Sequence, residues 1–72
     1  MDQVVETVLA AIRAGRSADV RLMLHPYLHW TAPGVRLRGR TKVLAYLATA
    51  TDQGAPDEYE LRDGQVYRWT LH

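Results

Sequence analysis

The chain has 72 residues, of which nine are lysine or arginine and eight are aspartate or glutamate, so its formal net charge is +1 with the three histidines neutral. We expect residues 1–72 to form one domain, because a protein of this size buries only about 60% of the surface that its unfolded chain exposes. The absence of cysteine excludes disulfides, thiolate metal sites and a cysteine nucleophile.

The order of charged and apolar residues predicts a soluble, cytoplasmic protein. An acidic residue precedes the first apolar residues after the initial methionine, which is the reverse of the order in a signal peptide. No apolar run approaches the ~20 residues that are needed to cross a bilayer. We therefore expect no membrane partner.

Two amphipathic helices are predicted in the first third of the chain. The apolar residues of the first segment recur at three- and four-residue spacing, which is typical of one buried helix face. These residues are Val5, Val8, Leu9 and Ile12. Asp2 is expected to cap this helix and Gly15 to end it. Ser17 is expected to cap a second helix that extends through Leu24. Pro26 is expected to end it, because proline lacks a backbone donor and pushes the preceding residue, His25, out of the helical region.

Two strands and a third helix follow. Alternation over residues 27–32 predicts a strand with Leu28 and Trp30 on one face. Residues 35–38 alternate in the same way and predict a second strand with its arginines in water. Gly39 is expected to end that strand and open a third helix with its own apolar stripe.

The C-terminal hairpin turns at Asp63 and Gly64 and has two candidate registers. A two-residue loop pairs Arg62 with Gln65 and gives two faces of mixed polarity. A three-residue loop with a left-handed glycine pairs Leu61 with Gln65 instead. The second register gives one apolar face, so we predict the bulged turn. That face carries Tyr59, Leu61, Tyr67, Trp69 and Leu71.

The order of these elements, with two short motifs, resembles the NTF2-like (nuclear transport factor 2-like) superfamily and its SnoaL-like polyketide-cyclase branch. The Leu-Arg-Gly-Arg segment at 37–40 is similar to the family's step into its third helix, and the Leu-Arg-Asp-Gly-Gln-Val segment at 61–66 is similar to its late hairpin. The predicted fold is therefore α+β in the order α-α-β-β-α-β-β. Three helices pack on a curved antiparallel sheet, as in a minimal NTF2-like or cystatin-like cone.

The resemblance also predicts a partner. Family members follow the third helix with four long strands that enclose a deep pocket, whereas the 21 residues after Thr51 are enough for one hairpin. We therefore expect a shortened sheet with an uncovered face, which favours association. Since family members commonly dimerise through their sheets, we expect a homodimer of this kind.

The leading functional hypothesis is a non-catalytic module that dimerises or binds a small apolar ligand in a shallow cleft lined by aromatic residues. Aromatic rings at half-buried positions suit a core, an interface or a ligand site, because they combine an apolar body with a polar tip. The candidate cleft or interface residues are Trp30, Tyr46, Tyr59, Leu61, Tyr67 and Trp69.

The alternative is an enzyme, which rests on the family resemblance. A SnoaL-like isomerase, cyclase or hydrolase acting on a small apolar metabolite would use His29 as general base and Tyr27 or Tyr46 as hydrogen-bond donor. We expect no cofactor and no metal, because Pro26 separates His25 from His29 and no third ligand lies near in sequence.

Charged residues form two strips. The basic strip is Arg36, Arg38, Arg40 and Lys42, and the acidic strip is Asp52, Asp57, Glu58, Glu60 and Asp63. The strips can be solvated surface, can meet within the fold, or can meet across a two-fold axis, where charge complementarity steers association. Four basic residues in a nearly neutral chain are too few to predict a nucleic-acid partner.

Overall fold

The computed structural model describes residues 2–50 and 53–72, so the predicted loop residue Asp52 lies outside the described residues. Within them the chain forms three helices and four strands in the predicted order, which confirms the α+β class. The helices are α1 (Gln3–Arg13), α2 (Ser17–Met23) and α3 (Arg40–Leu47). The strands are β1 (Leu24–Ala32), β2 (Val35–Arg38), β3 (Glu58–Arg62) and β4 (Gln65–Thr70).

The four strands form one sheet in the order β2-β1-β4-β3. The two hairpin pairs, β1–β2 and β3–β4, are antiparallel as predicted, whereas the central pair β1–β4 is parallel. A parallel pair requires a long crossover, which here runs through β2, α3 and β3. The helices pack on one face of the sheet, with α1 and α2 against β4 and with α2 and α3 against β1.

The first helix begins and ends where the sequence predicts. The Asp2 carboxylate accepts a hydrogen bond from the backbone N–H of Val4 at 2.9 Å, which satisfies one of the free donors at the helix start. Gly15, with φ of 72°, follows the helix end. The four predicted apolar residues of α1 are all buried.

The predicted end of the second helix is wrong. The helix stops at Met23, and Leu24 is already extended, with φ of −102° and ψ of 134°. Leu24 pairs with Val66 in the parallel ladder, so tertiary pairing converts the end of the predicted helix into strand and places His25 in β1. The predicted cap is also wrong, because Ser17 is the first helical residue and α2 has no side-chain cap.

The predicted hairpin register is wrong as well. Arg62 pairs with Gln65, so the loop has two residues, and both Asp63 and Gly64 have the positive φ that such a tight turn requires. The bulge lies further along β4, where Leu61 pairs with Val66. The next pairs are Glu60 with Arg68 and Tyr59 with Trp69.

This bulge decides which side chains face the helices. Because Tyr67 is the extra residue between two ladder pairs, Val66 and Trp69 both point into the core although they are three residues apart. Tyr67 points to the opposite face instead of sharing the apolar face predicted for it. At the far end of the ladder, Glu58 pairs with Thr70.

The core lies between the sheet and the helices. Trp30 and Trp69 are ladder partners whose rings stack at 4.8 Å, with 6° between their planes. Their neighbours are aliphatic side chains from every helix and from β1 and β4. No helix in the described part of the chain is both long and apolar enough to cross a membrane.

Candidate functional site

The face of the sheet turned away from the helices, here called the open face, carries a groove of about 330 Å³. The groove is lined by Tyr27, His29, Arg38, Gly39 and Tyr67. Alternation along β1 places Tyr27 and His29 on this face, as the sequence predicts, because Leu28 and Trp30 are buried on the other. The two residues of the catalytic hypothesis therefore share one groove.

His29 lies in a row of charged side chains that crosses the sheet. Its ladder partners are Arg38 on β2 and Arg68 on β4, and Arg68 pairs in turn with Glu60 on β3. The Nε of Arg38 donates to the Nδ1 of His29 at 3.4 Å. In a neutral imidazole, a lone pair on Nδ1 leaves the hydrogen on Nε2. In that tautomer the Nε2 of His29 is a donor, which suits recognition of an anion better than abstraction of a proton.

Tyr67 forms the aromatic side of the groove. Its ring meets the rings of His25 and His29 edge-on, at centroid distances of 5.0 and 5.6 Å. The guanidinium carbon of Arg62 lies 3.9 Å from the centre of the same ring, which is a cation–π contact. Tyr27 completes the rim and is 75% exposed. The groove therefore combines phenol rings with guanidinium donors.

Two arginines of the open face, Arg38 and Arg68, form no side-chain ion pair within the described residues, whereas Arg62 pairs with Glu60. Within residues 2–50 and 53–72, side-chain ion pairs involve Arg16, Arg62 and His72. Arg38 and Arg68 belong to none of these pairs, and both are exposed. No three His, Cys, Asp or Glu side chains among the described residues lie close enough together to hold a metal ion.

The structure separates the predicted cleft or interface residues. Trp30 and Trp69 are fully buried core residues, and Leu61 and Tyr46 are half-buried against the same core. Tyr59 is 39% exposed. Of the six candidates, Tyr67 is the one that lines the groove, so the expected aromatic cleft on a single sheet face does not form.

The two indoles also retain an unpaired donor. Neither the Nε1 of Trp30 nor that of Trp69 has a hydrogen-bond partner among the described residues. An unpaired buried donor costs about 1–3 kcal/mol. Burial of the two large stacked rings offsets this cost, because each aromatic side chain removes a large apolar area from water.

A second, apolar cavity lies on the helix side of the sheet. It has a volume of about 150 Å³ and lies between the C-terminal end of α1, the start of α2 and the end of α3. Its lining is mainly aliphatic and includes Ile12, Val20, Leu44, Leu47 and Ala48. Ala11, Gly15 and Ala48 also line the cavity, and none of them has a side chain larger than a methyl group.

Sequence patterns did not predict that Arg38, Arg62 and Arg68 come together on the open face. Alternation in β2 predicts that Arg36 and Arg38 share a face, but it does not say which residues of the other strands lie beside them. Arg62 and Arg68 join the open face only through the hairpin register and its bulge. The charge of Arg68 in β4 is evident in the sequence, but assigning this residue to the open face requires the correct hairpin register.

Comparison with known proteins gives no family assignment. No protein-family model matches the chain, and no curated protein or solved structure that was compared with it matches either.

Proposed function

We propose that the chain is a small, non-catalytic binding module that uses its open face to bind carboxylate-bearing partners. The observation that carries this proposal is the groove in which Arg38 and His29 present donors beside the rings of Tyr27 and Tyr67. Guanidinium groups bind carboxylates through charge-assisted hydrogen bonds, and phenol rings supply apolar contact area next to them.

Benzoate tests this proposal, because it joins a carboxylate to one aromatic ring. In a dilute, monomeric sample, titration should shift the backbone amide resonances of His29 and Arg38 in a saturable manner. Arg38→Ala should abolish these shifts, whereas Arg21→Ala, which removes an exposed arginine from α2, should preserve them. Shifts that are absent, or that are the same in the Arg38→Ala protein, would contradict the proposal.

A second binding activity is supported by the helix-side cavity. An enclosed apolar cavity of about 150 Å³ accommodates a molecule the size of benzene. The cavity here has a similar volume and a mainly aliphatic lining, and it is partly open to solvent. We propose that this cavity binds a small uncharged apolar ligand. The sequence predicts a ligand of this kind, but it predicts binding at the aromatic residues, none of which lines this cavity.

Two matched substitutions on α3 test the cavity. Ala48→Leu should fill the cavity and abolish the benzene-induced shifts of the Leu44 and Leu47 methyl resonances. Ala45→Leu adds the same volume at an exposed position that does not line the cavity, so benzene binding should persist. Equal binding by both variants would rule out this cavity as the site.

The enzymatic alternative places the general base at His29, with Tyr27 as donor. Both residues line the open groove, whereas Tyr46 packs against the core and does not line it. This alternative predicts that any turnover found in a screen of small apolar carbonyl compounds is lost in His29→Ala. Full turnover by His29→Ala would remove this residue from the mechanism.

A further inference from the structure

Three of the four strands carry basic side chains but no acidic ones. The strands β1, β2 and β4 contain no aspartate or glutamate, whereas β2 and β4 contribute Arg36, Arg38 and Arg68, all of them exposed. None of these three arginines takes part in a side-chain ion pair within residues 2–50 and 53–72. Together they form a positively charged surface on the open face, here called the basic patch.

The acidic side chains of the open face lie on β3 and have partners within the chain. A carboxylate oxygen of Glu60 lies 3.3 Å from the guanidinium of Arg62, and one of Glu58 lies 3.3 Å from the Nε2 of His72. The strand β3 is at the opposite edge of the sheet from β2. These two carboxylates therefore lie far from the β2 end of the basic patch.

Two arginines of the basic patch have the spacing of a nucleic-acid backbone. Arg36 and Arg38 are two residues apart on one strand face, so their Cα atoms are separated by roughly 6.6 Å, or two steps of about 3.3 Å. Successive phosphates of an extended single strand lie a similar distance apart. Each arginine can therefore hold one phosphate through charge-assisted hydrogen bonds. His29, the ladder partner of Arg38, adds a neutral donor beside one of these phosphates.

An exposed aromatic ring lies next to this strand. Tyr27 on β1 is 75% exposed and lines the groove together with Arg38. Aromatic rings on a sheet surface stack on the unpaired bases of single-stranded nucleic acids. One side of the Tyr67 ring is already covered by Arg62, whose guanidinium carbon lies 3.9 Å from the ring centre. Tyr27 is therefore the better stacking surface of the two tyrosines.

We infer that the basic patch and Tyr27 bind single-stranded RNA. The backbone of the RNA follows β2, with successive phosphates on Arg36 and Arg38, and its bases lie across β1 towards β4. One base stacks on Tyr27. Arg68 lies on β4, beyond β1, and donates to oxygen atoms at the edge of a base.

Two threonine hydroxyl groups favour RNA over DNA. Thr31 is the ladder partner of both Arg36 and Thr70, which places the two threonine side chains on the open face beside that arginine. A threonine hydroxyl both donates and accepts hydrogen bonds, and so does the 2′-hydroxyl that distinguishes RNA from DNA. The nucleotide whose phosphate lies on Arg36 therefore finds partners for its 2′-hydroxyl.

This inference goes beyond the proposed function, although it uses the same donors of the groove. A phosphodiester carries one negative charge, as a carboxylate does, but an RNA strand also requires Arg36 and a stacking ring. The basic residues of a nearly neutral chain do not by themselves predict this partner. The sequence does not show that Arg68 lies on one face with Arg36 and Arg38.

Fluorescence anisotropy of a labelled decauridylate at low ionic strength tests the inference. Uridylate bases stack weakly on one another, so they are free to stack on the protein. The wild-type chain should bind this probe saturably, and Arg38→Ala and Tyr27→Ala should each weaken binding by about tenfold. Arg21→Ala, which removes an exposed arginine from α2, is the matched control and should leave the dissociation constant unchanged.

The salt dependence separates the charge contacts from stacking. Each phosphate neutralised on a single strand contributes about 0.7 to the slope of log binding constant against log salt concentration. Arg38→Ala should reduce the slope by this amount, whereas Tyr27→Ala should weaken binding without changing the slope. Circular dichroism checks that each variant is folded. A wild-type chain that does not bind saturably, or folded variants that bind as tightly as the wild type, would overturn the inference.

Competition identifies the occupant of the face. An oligodeoxyuridylate and an RNA duplex of the same length should both bind more weakly, because the first lacks the 2′-hydroxyl and the second has no free base to stack. Equal binding of either would overturn the assignment to single-stranded RNA. Displacement of the RNA by an equal concentration of oligoglutamate would assign the face to an acidic peptide instead.

The two proposals for the open face fail separately. A chain that binds benzoate in the groove but does not bind decauridylate overturns the RNA inference, while the carboxylate-binding function stands. Conversely, a chain that binds decauridylate with the expected loss in Tyr27→Ala, but shows no benzoate-induced shifts, upholds the RNA site and contradicts the carboxylate-binding function.

Discussion

The two faces of the sheet have opposite chemistry, although the same strands supply both. The helix-facing side is built from apolar volume, with Trp30 and Trp69 stacked at its centre. The open side is built from charge and hydrogen-bonding groups, with His29 between Arg38 and Arg68. Apolar burial is therefore concentrated on one face of the sheet, and the polar side chains are collected on the other.

This contrast also reverses an expectation drawn from the sequence. The uncovered face of a short sheet was expected to be the apolar, aromatic one. In the structure the helices cover that face, and the uncovered face is polar. Charged and hydrogen-bonding side chains, rather than apolar area, therefore dominate the uncovered face.

The largest expected effect separates the two faces by stability. Trp69→Ala should lower the free energy of unfolding by about 3–5 kcal/mol, because it leaves a cavity beside Trp30. Tyr27→Ala, which truncates an exposed ring on the open face, should change it by no more than about 0.5 kcal/mol. Urea denaturation followed by circular dichroism measures both. Similar losses in the two variants would mean that the open face also holds the fold together.

A smaller effect is expected at the end of the groove, where backbone geometry rather than side-chain volume is limiting. Gly39 has φ of 92° and ψ of 144°, a conformation that other residues rarely adopt. Gly39→Ala should lower the free energy of unfolding by about 1–3 kcal/mol. Gly54→Ala is the matched control, because Gly54 has no positive φ and open space around it. Equal thermal midpoints for the two variants would contradict this strain.

The smallest effect compares two helix starts on the covered face. Asp2→Ala removes an observed cap and should lower the free energy of unfolding by about 1 kcal/mol. Ser17→Ala removes a residue that was predicted to be a cap but makes no capping bond, so its effect should stay within about 0.5 kcal/mol. Thermal unfolding of the pair measures the difference. A loss in Ser17→Ala as large as that in Asp2→Ala would restore the predicted cap.

The candidate site was predictable only in part. Tyr27 and His29 were assigned to one face correctly, since alternation along a strand is local and depends on sequence alone. The partners of His29 were not predictable, because they come from β2 and β4 and depend on registers set between strands. Arg38 was recognised as a basic surface residue, but its contact with His29 emerges only when the strands are paired.

The sequence by itself determined the order of the elements, the buried stripe of α1, the faces of β1 and the α+β class. Each of these follows from local periodicity or from a residue that caps or breaks an element. Only the tertiary structure decided where α2 ends, how β3 pairs with β4 and which face is covered. These depend on pairing Leu24 with Val66 and Trp30 with Trp69, partners about 40 residues apart, and local periodicity carries no information about which distant residues pair.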